Sequence, residues 1–115
     1  MPRFLHQVSY TPEALARLIS NPQDRFEAVR APIEKLGGKL EHSYFAFGEH
    51  DAIVITEMPD SVSAAAIALA FAAGGALRSC STTPLLTPAE ALDAMRKAAT
   101  CGYKPVTAAA GAASR

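Results

Sequence analysis

Three histidines, two cysteines and a few polar side chains on otherwise apolar strands are the residues of this chain whose types suit chemistry. Histidine titrates near neutral pH, so His6, His42 and His50 are the first candidates for proton transfer. Gln7 and Ser9 share one face of the first apolar segment, and Arg78 and Cys80 share a face of a later one. Polar groups set among apolar neighbours in this way suit the orientation of a small ligand in a cavity. Plain strand alternation would produce the same pattern with no ligand at all. Cys80 would be a nucleophile only with a base beside it, and the sequence places none there. Neither cysteine has a CxxC neighbour, so both read as reduced thiols and not as a disulfide framework. The histidines are not spaced as metal ligands, and no metal is expected. No Gly-rich dinucleotide loop, Walker loop or HExxH helix occurs.

The elements that must position these residues follow from periodicity. Residues 3–10 alternate with period two and read as a strand. Thr11-Pro12-Glu13 starts a helix: Thr11 caps it, and Pro12 fits the first position, where an N–H would be unpaired anyway. Asn21-Pro22 interrupts it. A second helical segment, 23–36, places Phe26, Val29, Ile33 and Leu36 on one face, with a distortion expected at Pro32. Gly37-Gly38 ends it. Residues 39–46 alternate again, with Leu40, His42, Tyr44 and Ala46 on one side. A turn over 47–51 follows, in which Gly48 supplies positive φ and Asp51 accepts backbone N–H groups. Residues 52–58 are nearly all apolar or β-branched and read as a central strand. Asp60-Ser61 caps an alanine-rich helix to about Ala73, a strand covers 76–83 with Pro84 ending it, and Thr87-Pro88-Ala89-Glu90 opens a last helix with Leu92 and Met95 inward. The order is βαββαβ plus a C-terminal helix. It predicts an α+β, ferredoxin-like fold: a four-stranded antiparallel sheet with helices on one face. Residues 1–99 form the domain, and 100–115 read as a flexible Ala/Gly/Pro tail.

Composition narrows the function. Half the residues are apolar and only 19% are charged, which excludes a generic disordered chain. Basic and acidic residues balance at 11 each, which argues against nucleic-acid binding through phosphate neutralisation. The longest apolar run, 64–73, falls short of the roughly 18 residues that span a bilayer. The N-terminus lacks a secretory h-region, so a cytoplasmic location with no membrane partner is expected. Much of the apolar half is alanine and there is no tryptophan, so the core one chain can build is thin. The sheet face without helices therefore needs a cover.

Several stretches resemble the GYD domain family: the strand ending in Tyr10-Thr11, Leu36-Gly37-Gly38-Lys39-Leu40, the segment from Phe47 through Gly48, Glu49, His50 and Asp51 to Ile55, and Met58-Pro59-Asp60 before an alanine-rich helix. Arg78 leading a Ser/Thr strand adds to the likeness, which covers roughly residues 3–97. His50 stands where the family often has tyrosine. The resemblance implies a ferredoxin-like protomer whose open sheet face packs on a second copy, a dimeric α/β barrel. It implies no particular reaction, and no cofactor is expected. The expected function is that of a homo-oligomer binding a small molecule in a cavity between sheet faces. His6, Gln7, Ser9, His42, Tyr44 and Arg78 are the pocket candidates, with Gly48 and Asp51 as the structural turn. The alternative, by analogy with other dimeric α/β barrels, is a cofactor-independent enzyme of monooxygenase or isomerase type acting on a small organic substrate. His6 or His42 would then be the general base and Arg78 an anion anchor.

Overall fold

Each helix of the chain begins where a polar side chain caps it. In the computed structural model, which describes residues 1–106, the Thr11 hydroxyl accepts the Ala14 N–H at 3.1 Å and Asp60 accepts that of Ser63 at 2.8 Å. Thr87 and Glu90 exchange side-chain and backbone bonds in a capping box. The elements run β1 (Arg3–Tyr10), α1 (Pro12–Ser20), α2 (Arg25–Lys35), β2 (Lys39–Phe45), β3 (Ala52–Glu57), α3 (Ser61–Ala73), β4 (Leu77–Leu85) and α4 (Pro88–Thr100). The strands form one antiparallel sheet in the order β2-β3-β1-β4, the ferredoxin-like arrangement.

Three local expectations are corrected. Helix α2 runs unbroken through Pro32, whose own carbonyl still accepts the Leu36 N–H at 3.3 Å. Strand β4 continues through Pro84 to Leu85; β4 lies at the sheet edge, where a residue without an N–H is tolerated. The alternation of β2 breaks. Its register shifts between Leu40 and His42, so Leu40 opposes Thr56 while His42 opposes Ile55. The extra residue turns Leu40 into the core and His42 and Tyr44 to the opposite face, and the four residues 40, 42, 44 and 46 do not share a side.

Residues up to Leu85 form one compact unit. Its core lies between the sheet and the helices: Phe4, Leu40, Val54 and Met58 meet Ile33 of α2 and Ala64 and Ile67 of α3, with Phe26, Val29, Leu36 and Phe71 packed at the margin. The helical stripe read from the sequence in 23–36 is therefore the core-facing one. Residues from Leu86 onward form a second unit. Within it α4 has no buried residue; Leu92 and Met95, expected inward, are exposed. Residues 101–106 carry no helix or strand, and the remainder of the expected tail lies outside the described residues.

One close approach limits the sequence strongly. A Cβ at Gly38 would clash with Met58 Sδ and stand 2.7 Å from the Glu57 carbonyl oxygen. Met58 is fully buried and the carbonyl is backbone, so neither gives way freely. Gly38→Ala is expected to destabilise the fold by about 1–3 kcal/mol, the range for overpacking. Urea denaturation would show this as a lower midpoint; an unchanged midpoint would refute the close contact.

Candidate functional site

The two faces of the sheet differ in chemistry. On the helix side the strands present three cross-strand rows: Leu40, Thr56, Phe4 and Pro84; Ser43, Val54, His6 and Thr82; Phe45, Ala52, Val8 and Cys80. On the side that no helix of the Met1–Leu85 unit covers, the rows are His42, Ile55, Leu5 and Thr83, then Tyr44, Ile53, Gln7 and Ser81. Leu5, Gln7, Ile53 and Ile55 are only half-buried, and Tyr44 is exposed. Arg3 closes one end of this open face, its Nε donating to Glu41 Oε1 at 2.7 Å and its Nη2 lying 3.2 Å from Glu57 Oε2.

The sequence candidates divide between these faces. Gln7, His42 and Tyr44 stand together on the open face. His6 does not join them. It is fully buried on the helix side, with Nδ1 3.0 Å from Thr82 Oγ1 and Nε2 3.0 Å from Thr56 Oγ1. A neutral imidazole has one donor and one acceptor nitrogen, and a hydroxyl serves either. Both ring nitrogens are thus engaged, and the ring meets Phe71 edge-on with centroids 6.0 Å apart. Burial lowers the His6 pKa because charging it there would cost solvation. Ser9 is also buried, its hydroxyl donating to the Glu49 carbonyl at 3.1 Å, which fastens β1 to the β2–β3 turn. Arg78 is exposed at the irregular start of β4 and takes part in none of the ion pairs among the described residues.

Asp51 clamps the turn to β1. Its Oδ2 accepts the Tyr10 N–H at 2.8 Å, its own N–H donates to Val8, and its carbonyl accepts the Ala46 N–H. Gly48 does not use the freedom of glycine. Among the described residues the positive φ angles belong to Gly37, Gly75 and Gly102, and the space around Gly48 is open. His50 is half-buried, and its Nδ1 has no hydrogen-bond partner among the described residues. Burial pushes the Cys80 thiol up despite a hydrogen bond with Thr82, so it stays protonated and a poor nucleophile. Among the described residues no cluster of three His, Cys, Asp or Glu could hold a metal, and no helix is long and apolar enough to cross a membrane.

Sequence reasoning missed two cavities on the helix side. One, of about 220 Å³, lies between α2, α3 and the sheet over Val8 and Val54. The other, of about 590 Å³, lies beside α1 and the segment leading into α2. Tyr10, Arg25 and Ala76 line both. No motif announces them, because their walls come from several elements far apart in the chain.

A family model of the GYD domain matches residues 4–95. Among solved structures, the crystal structure of MtbAldR superposes with a TM-score of 0.59 at 15% identity, over 75% of this chain and 53% of that one. The chain thus spans about half the length of that protein, and the likeness speaks to the fold alone. No curated protein matches the chain.

Proposed function

The chain belongs to the GYD domain family, and from that premise we propose that it acts as a homodimer or larger homo-oligomer whose open sheet faces meet around a small-molecule cavity. The open face carries this reading. Leu5, Ile53 and Ile55 form an apolar centre with Gln7 and Tyr44 beside it, and no helix of the Met1–Leu85 unit covers it. Two such faces packed together would bury the aliphatic centre and leave the amide and phenol as orienting groups. A dimer also relieves the thin core. The β-branched residues of β3 are buried on the helix side and half-buried on the other, as for a strand meant to be covered twice.

Light scattering of the purified protein at micromolar concentration is the test. A mass of twice the 12.1 kDa chain or more supports the reading, and a stable monomer overturns it. Native mass spectrometry of the same sample reports any ligand retained with the oligomer.

A further inference from the structure

The geometry points to a second binding site, on the helix side of the sheet, for a small hydrophobic carboxylate. Its apolar body would fill the 220 Å³ cavity, and its carboxylate would meet Arg25, which lines both that cavity and the larger one.

Three observations lead there. First, the cavity is apolar and the right size. Val8, Val29, Val54, Phe26 and Phe71 line it, and a cavity of about 150 Å³ is enough to hold benzene. A volume of 220 Å³ therefore accepts one aromatic ring or a branched aliphatic chain with a short acidic arm. Second, the wall that the two cavities share is cationic and carries no acid. Arg25 lines both cavities and Arg17 lines the larger one, while neither wall contains Asp or Glu. Third, these two arginines are uncommitted to carboxylates. The ion pairs among the described residues use Arg3, Arg30 and Arg96, and Arg25 has only a long 3.4 Å contact with Gln23 Oε1. Asp24 and Asp51 lie nearby but line neither cavity: Asp24 accepts the Phe26 N–H and Asp51 that of Tyr10. A guanidinium with free donors at the edge of an apolar cavity recognises a carboxylate, often in bidentate fashion. The Tyr10 side chain stands at the same wall and offers a hydroxyl donor.

This site lies across the sheet from the one in the proposed oligomer and does not depend on it. The test uses the full-length protein with ¹³C-labelled methyl groups and benzoate as the probe, with benzyl alcohol as the neutral comparison. Saturable shifts at the Val8, Val29 and Val54 methyls are expected. Arg25→Gln should weaken benzoate roughly tenfold or more, the usual range for a charge-assisted bond, and leave benzyl alcohol nearly unchanged. Ala70→Leu, which narrows the cavity from α3, should abolish both. Arg25 is exposed, so its variant tests the site without testing the fold. The proposal is overturned by the absence of saturable shifts at millimolar benzoate, by equal affinity for benzyl alcohol, or by indifference to Arg25→Gln. Shifts confined to Leu5, Ile53 and Ile55 would place the probe on the open face and overturn it as well. The oligomer mass is read separately, so either idea can fail alone.

Discussion

Ile55→Glu is expected to dissociate the proposed oligomer without unfolding the chain. Ile55 sits at the centre of the open face, between Leu5 and His42 on the neighbouring strands. Its side chain points away from the core, so a glutamate there stays solvated in a lone protomer. In a symmetric face-to-face dimer the same glutamate is buried twice, once from each copy. A buried charge with no partner costs several kcal/mol. Self-association should weaken by roughly a thousandfold or more, since about 4 kcal/mol already corresponds to that factor. Light scattering would then report the monomer mass, with far-ultraviolet circular dichroism unchanged. Ile55→Val, which keeps the aliphatic face, should remain associated. An Ile55→Glu variant that keeps the oligomer mass would show that this face is not the interface.

The order of elements was legible because it rests on local chemistry. Thr11-Pro12, Asp60 and Thr87-Pro88 cap helices in the sequence as they do in the structure, and Gly37 takes positive φ where α2 ends. The 3.6-residue spacing of Phe26, Val29, Ile33 and Leu36 marks the face that meets the core. What escaped was the assignment of faces. Phe4 and Val8 lie on one side of β1 and Leu5 on the other, so both sides look apolar, and alternation alone does not say which one the helices cover. The sequence reading therefore put His6 and Gln7 in one pocket, although adjacent residues of a strand point oppositely. The bulge in β2 compounded this, since one extra residue carries everything after Leu40 to the other side. A signal for His6 did exist. It sits between Phe4 and Val8 with period two, and a histidine so flanked belongs with its neighbours.

The placement of His6 separates the chemistry of the two faces. A general base must reach substrate with a free nitrogen, and both His6 nitrogens are held by threonines inside the core. On the open face the side chains of Gln7, His42 and Tyr44 stand together, an amide, an imidazole and a phenol. On the helix side, Arg25 and Arg17 supply positive charge at a cavity wall.

His6→Ala is accordingly expected to damage the fold. The substitution removes a fully buried ring, its edge contact with Phe71, and the hydrogen-bond partner of the Thr56 and Thr82 hydroxyls. A cavity and an unsatisfied buried hydroxyl at Thr56 together cost about 3 kcal/mol or more, a large part of the 5–15 kcal/mol that holds a typical domain. The pH dependence identifies the cause. Burial holds the folded pKa of His6 below the unfolded value of about 6.5, so in that interval the unfolded chain binds a proton that the fold refuses. The stability that neutral His6 confers is complete above about pH 6.5 and is lost as pH falls toward the folded pKa, at up to about 1.4 kcal/mol per pH unit. Urea unfolding of wild type and His6→Ala across about pH 5 to 8 should therefore show a gap that is widest at the alkaline end and narrows with acid. A gap that widens as pH falls would mean that the fold favours the charged ring, and a constant gap that the fold does not discriminate between its two forms; either result would overturn the neutral, buried His6.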